Sequence, residues 1–263
     1  MAATSRTALR AVTTASAAAP GGTAAGTSRR SAAPLLRHRR GDLASPSAAV
    51  ALAPATASVD QEAARELVAW LTVEKGAENL GNLVSFGDGA AATLVGDVRA
   101  GEPLLEIPQN LAVTSVDVAD SPIVAGLSTG RGELVGLALW LCHERFKGPL
   151  SEWAPYVRTL PNSGPDHPLM WPTADLTTLL KGSQVAEQAL SRAASAAEEY
   201  ASIRAAIAAD AVNYPADAYS FLTEAAFTDA LATVLARAVW LNAANCYAMV
   251  PLVGLYKLNA VDP

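Results

Sequence analysis

The residues able to do chemistry are few, and most stand alone. His38 lies in an Arg-rich stretch, His143 stands between Cys142 and Glu144 in an apolar helical pattern, and His167 precedes a proline in a loop. A lone histidine with no motif around it reads as a rim residue rather than a catalytic base. Cys142 and Cys246 sit far apart inside apolar patterns, without CxxC or Cys/His spacing, so two buried reduced thiols are expected and no metal site. No GxSxG, phosphate-binding loop or HExxH occurs. The best local candidate for a ligand loop is "FGDGAAATLVGDVRAGE", where Gly87 and Gly89 permit a tight turn and close backbone approach to a ligand. The same stretch also reads as a hairpin turn with no ligand. "SEWAPYVRTLP" gathers Trp153, Pro155, Tyr156, Leu160 and Pro161, a cluster suited to pinning a loop against a core.

The elements that must position these residues follow from periodicity. Ala64, Leu67, Val68 and Leu71 share one face of a helix predicted over 61–75, with Gly76 as its stop. Between Asn82 and Thr114 the period shortens. "NLVSF", "ATLVGDV", "LLEIP" and "LAVT" read as short strands separated by turns. Helices are expected over 133–146, in "PTADLTTLLKG", and along the Ala-rich run 183–211, which Asn213-Tyr214-Pro215 breaks. A last helix is expected from Glu224 to Trp240, with Thr223 as N-cap and Phe227, Leu231, Val234 and Leu235 inward. The apolar "YAMVPLVGLY" then supplies a strand whose only available partner is the early sheet. The whole is an α+β chain, a β-fold interrupted by a helical insert.

Composition bounds where such a chain works. Residues 1–58 hold seven arginines, no lysine and one acid, Asp42, in an Ala/Ser/Thr/Pro/Gly background. That is the composition of an organelle transit peptide, or of an untargeted disordered tail, with too little apolar surface to offset chain entropy. The remaining 12 basic and 24 acidic residues give the body a net charge of about −12. A sequence-independent grip on nucleic acid needs the opposite sign, so none is expected; an acidic body suits a basic partner such as a lysine-bearing peptide. No apolar run reaches the ~18 residues of a membrane span.

In order, "GDVRAGEPLLEIPQNLAVT", "LVGLALWLCHERFKGPLSEWAPYVRTLP", "HPLMWPTADLTTLLKGS", "FTDALATVLARAV" and "MVPLVGLY" resemble the Rubisco large-subunit methyltransferase type of SET-domain protein-lysine methyltransferase. The resemblance covers roughly residues 67–255 and includes Glu144, Ser151, Trp153, Pro155, Tyr156, Trp171, Leu176 and Gly182-Ser183. It implies a β-rich SET fold over 59–263, partial and split by a helical iSET insert at about 123–222, behind a transit peptide at 1–58. It implies methyl transfer from S-adenosylmethionine (SAM) to a lysine of a protein substrate, the Rubisco large subunit or another plastid protein. It places the chain in the chloroplast, with the mitochondrion as alternative.

The resemblance also implies cofactor contacts from three stretches. The family's Gly-x-Gly-Leu turn corresponds to Gly87-Asp88-Gly89 or to Gly89-Ala90-Ala91; the second alignment fits the spacing to Gly101-Glu102 better and puts Ala91 and Ala92 where the family has Gly and Leu. The arginine of the family's Ser-Arg-Ala-Phe motif corresponds to Arg237, without its Ser and Phe neighbours, at the edge of the apolar face of the last helix. The Pro-Leu-x-Asp-Leu-x-Asn-His stretch corresponds to Pro251–Leu258, where Gly254, Lys257 and Leu258 replace Asp, Asn and His; Asn259 stands in for the Asn only after a two-residue shift. The family's later strand, catalytic tyrosine and substrate-binding domain have no counterpart before Pro263, so the expectation is a truncated active site with no assignable catalytic residue. The alternative is a non-catalytic short form that binds SAM or a partner protein.

Overall fold

The computed structural model describes residues 8–10, 61–77, 84–86, 92–94, 106–160 and 167–253. His38, Gly87, Gly89, Ala90, Ala91 and Asn259 lie outside the described residues.

Short strands occupy the N-terminal side. Strand β1 (Ala8–Arg10) pairs antiparallel with β4 (Glu106–Pro108), and β2 (Val84–Phe86) with β3 (Ala92–Leu94), as the turn-punctuated apolar stretches predict for the last three. Between β1 and β2, helix α1 (Gln61–Ala69) buries Ala64 and Leu67, and continues into a π-helical turn, Trp70–Glu74, that buries Leu71. Gly76 ends it at φ +64°, a conformation that glycine takes without a Cβ clash.

After β5 (Val113–Thr114) the chain turns helical. Thr114 caps α2 (Ser115–Ala119) reciprocally: its hydroxyl accepts from Asp117 N–H at 3.2 Å, and Asp117 Oδ2 accepts from Thr114 N–H at 2.8 Å. Then come α3 (Ala125–Ser128), α4 (Glu133–Lys147), α5 (Ala154–Thr159), α6 (Thr173–Leu179), α7 (Gln184–Ala209) and α8 (Glu224–Arg237).

The core lies between α4 and α8. Leu137, Ala138 and Leu141 on one side and Phe227, Ala230 and Val234 on the other are wholly excluded from solvent. Burial at this level stabilises by about 1.5–3 kcal/mol per large side chain. Arg145 ties the two helices by an ion pair to Asp229 at 2.6 Å and a hydrogen bond to Thr233 Oγ1 at 3.3 Å. Helix α7 keeps its Ala-rich surface outward but buries Ala189, Ala196, Ile203 and Ile207, a narrow stripe at sevens and fours along the chain, against its neighbours. Tyr219 donates its hydroxyl to the Ile123 carbonyl at 2.8 Å and so ties the segment before α8 to the segment before α3.

The expected terminal strand exists. Strand β7 (Cys246–Met249) pairs antiparallel with β5, Val113 opposite Met249 and Thr114 opposite Ala248. One boundary differs from the sequence reading. The last helix stops at Arg237 rather than Trp240, and Val239–Leu241 form strand β6, paired with β7. Ala238 has already left helical geometry (φ −67°, ψ 140°). Val239 and Trp240 favour the pleated surface, and Trp240 meets Tyr247 across the hairpin with ring centroids 5.0 Å apart and edge-on. Both cysteines are buried and unpaired, as expected; burial pushes the Cys142 thiol up to about 12. No described helix is long and apolar enough to cross a membrane.

Candidate functional site

The end of α8 and the exit of β7 meet at the small sheet, where Val239 pairs with Ala248. Arg237 is the last residue of α8, half-buried, at the point where Ala238 turns the chain into β6. A cation there suits the negative end of the helix dipole whatever else it does. Its second relationship is specific. Tyr156, on α5, is buried, and burial pushes its phenol above the ordinary value, while the nearby Arg237 guanidinium pulls the other way. Residues 81 positions apart thus come within electrostatic reach of each other.

An aromatic stack fixes the tyrosine's helix. Trp153 meets Trp70 at 5.6 Å, Trp140 edge-on at 5.9 Å and Tyr156 at 6.4 Å between ring centroids. The sequence pointed to Trp153 and Tyr156 as a loop pin; the stretch is instead helix α5 with Trp153 at its N-cap, and Trp70 from the π-helical turn and Trp140 from α4 complete the cluster.

Beneath this stack lies a polar lock. Glu144 is buried, and its carboxylate accepts from Ser151 Oγ at 2.5 Å and from Lys147 Nζ at 2.7 Å. Ser151 Oγ in turn accepts from the Trp153 N–H at 3.0 Å. The buried charge is thereby paired and hydrogen-bonded, which is what makes its burial tolerable, and the start of α5 is fixed to α4. Sequence reasoning did not assign this pair a role. The signal was present: Glu144 falls on the stripe of Leu134, Leu137 and Leu141 at the next helical step, a charge where the pattern calls for an apolar side chain.

At the exit of β7, Pro251 and Leu252 are buried, and Leu252 sits at φ +67°, left-handed backbone that a leucine adopts at a cost of about 1–2 kcal/mol. The stretch that the resemblance linked to the cofactor begins here; Gly254–Leu258 and Asn259 lie outside the described residues.

The two described histidines are held by packing and capping. His143 lies against Phe221 (5.4 Å between ring centroids), its imidazole shifted downward by burial, and His167 accepts from the Leu169 N–H at 3.1 Å as a cap, also shifted downward by burial and by Arg192. Among the described residues no group of three or more His, Cys, Asp or Glu side chains is arranged to hold a metal ion. A half-buried guanidinium at this turn fits a carboxylate-bearing ligand by charge and by its own N–H donors.

No family model matches the chain. Over 113 residues it is 34% identical to N-lysine methyltransferase SETD6 of Mus musculus and 32% identical to the Rattus norvegicus protein of that name. These matches cover 40% of this chain and 23% of each relative. Among solved structures it is similar to the SET domain of LSMT bound to lysine and AdoHcy, at TM-score 0.61 and 20% identity over 77% of this chain and 45% of that one. The same domain bound to MeLysine and AdoHcy gives TM-score 0.58 and 21% identity over 75% of this chain and 45% of that one. The described architecture is therefore the fold of those SET domains, and the chain matches less than half the length of each protein compared.

Proposed function

We propose that this chain carries the cofactor-side part of a SAM-dependent protein-lysine N-methyltransferase of the Rubisco large-subunit methyltransferase-like type. The observation that carries the reading is a fold similar to SET domains bound to lysine and AdoHcy, with Arg237 at the last position of α8 where the chain turns into β6. The helices over 123–222 are then the iSET insert, 1–58 a transit peptide, and the chloroplast the destination, with the mitochondrion as alternative. The substrate is a protein lysine, on the Rubisco large subunit or another plastid protein.

SAM when bound supplies an electrophilic methyl group on a sulfonium, transferred to a neutral amine without need of a metal. Arg237 would hold its carboxylate, with backbone at Gly87, Gly89, Ala90 and Ala91 and with Asn259 as further contacts implied by the family resemblance. The Glu144–Ser151–Trp153 lock holds the start of α5, the helix that carries buried Tyr156. Fixed groups of this kind cost no reorganisation when a ligand arrives.

Calorimetric titration of the full chain with SAM tests the reading. Binding that Arg237→Ala weakens by about tenfold or more, in a variant shown to be folded at the titration temperature by circular dichroism, is the expected result for loss of one charge-assisted pair. Absence of binding, or equal binding by the variant, overturns it. A second reading, a non-catalytic form that binds SAM or a partner protein, is favoured by Gly254, Lys257 and Leu258 in place of Asp, Asn and His. Turnover of SAM on a lysine-bearing protein would exclude it.

A further inference from the structure

One turn of α4 reaches α8 through three polar ties on successive turns of that helix. Cys142 Sγ donates to the Ala226 carbonyl at 3.4 Å, and Arg145 pairs with Asp229 Oδ2 at 2.6 Å and donates to Thr233 Oγ1 at 3.3 Å. Thr233 is wholly excluded from solvent, and its hydroxyl donates in turn to the Asp229 carbonyl at 3.0 Å, which leaves its oxygen to accept from Arg145. Ala226, Asp229, Thr233 and Arg237 follow at steps of three and four, so they form one stripe along α8. Arg237 is the end of that stripe, about 6 Å further along the axis than Thr233.

Burial of Leu137, Leu141, Phe227 and Val234 drives α4 onto α8, but apolar burial is non-directional. A guanidinium shared between a carboxylate and a hydroxyl one turn apart is directional. Neighbouring helical positions differ by about 100° around the axis, so a fraction of that rotation would re-aim every side chain of the stripe. We propose that Arg145 is a positioning residue for the ligand: by holding Asp229 and Thr233 it sets the rotation of α8, and so the direction in which Arg237 leaves the end of the helix. The inference rests on the reading of Arg237 as the contact for the SAM carboxylate and adds what aims it. Glu144, the preceding residue of α4, fixes the start of α5 through Ser151, so two consecutive residues hold two different elements.

NMR of the full chain gives a readout that needs no ligand. The Arg237 Nε–H resonance, assigned by its loss in Arg237→Ala, should shift in Arg145→Met and stay in place in Thr223→Ala, which loosens the start of α8 but leaves the Arg145 ties intact. SAM titration, with every variant shown to be folded by circular dichroism, should find Arg145→Met about tenfold weaker than the parent and Thr223→Ala within about twofold. A double-variant cycle then decides the route. Arg145→Met/Arg237→Ala should bind no more weakly than Arg237→Ala alone, because the first change acts through the second residue. Additive losses, full SAM affinity in Arg145→Met, an unmoved Arg237 signal, or an equal shift in Thr223→Ala would each overturn the proposal. Asp229→Asn, isosteric and without the charge, repeats every comparison should Arg145→Met not fold. A resonance that moves in a parent chain that binds no SAM would remove the SAM reading and leave the aiming of Arg237 by Arg145 standing.

Discussion

The helical layer and the terminal hairpin are built on opposite principles. Across the α4–α8 contact the chain excludes solvent from Leu137, Leu141, Phe227 and Val234 and adds the Arg145–Asp229 pair, so every local preference agrees with the packing. From Arg237 to Leu252 the strands are three and four residues long, Trp240 is 46% exposed, and Leu252 is held in left-handed backbone. Strain persists only where surrounding structure over-determines it, and here the helical layer supplies that determination. Stability therefore belongs to the helices, and the strained backbone to the hairpin they support.

Substitutions that break this division give graded outcomes. Phe227→Ala should be the most damaging, since the ring is fully buried and stacks with Tyr200 at 6.0 Å; a loss of about 3–5 kcal/mol in urea unfolding is expected. A loss below ~1 kcal/mol would mean that α8 is not the keystone. Glu144→Ala removes the acceptor of Ser151 and Lys147 and should cost about 2 kcal/mol, with Lys147 at 33% exposure partly rehydrated. It also frees the start of α5, so near-ultraviolet circular dichroism from the tryptophan stack should weaken, a signal that loss at a remote site would leave alone. Thr223→Ala deletes the hydroxyl that accepts from Ala226 N–H at 3.1 Å at the start of α8; about 1 kcal/mol of unfolding free energy should go, with SAM affinity unchanged.

The smallest effect is one of pH. His143 is held below its ordinary value of 6.5, chiefly by burial, against the pull of Glu144. The unfolded chain therefore takes up its proton first as pH falls. The histidine's contribution is full above about pH 6.5 and is lost as pH drops through the lower folded value. Urea midpoints between pH 7.5 and 5.5 should fall more steeply in the parent than in His143→Gln, and parallel slopes would remove His143 from the account.

Much of this architecture was legible in the sequence because helices and strands announce themselves over three or four residues. The apolar faces of α1, α4 and α8, the N-cap at Thr223, the short early strands and the need of the last strand for an early partner were all readable that way. The last helix was extended too far because Ala238-Val239 continues the apolar pattern; only the pairing of β6 with β7 decides for a strand there. Arg237 was chosen by resemblance and by its place at the edge of a face, which says which way a helix turns but not what it will meet.

The sequence by itself determined the α+β class, the order of the long helices and early strands, and Arg237 and Trp153 as candidates, but not α2, α3, α5, β1 or β6. Only the tertiary structure decided that Arg237 comes within electrostatic reach of Tyr156, that Trp70 and Trp140 clasp Trp153, that Glu144 is locked by Ser151, and that Arg145 holds Asp229 and Thr233. The physical reason is range. Periodicity encodes the face a residue occupies through backbone geometry a few residues long, whereas these contacts mostly join distant segments and exist only once α4 has packed on α8 and β7 has closed on β5.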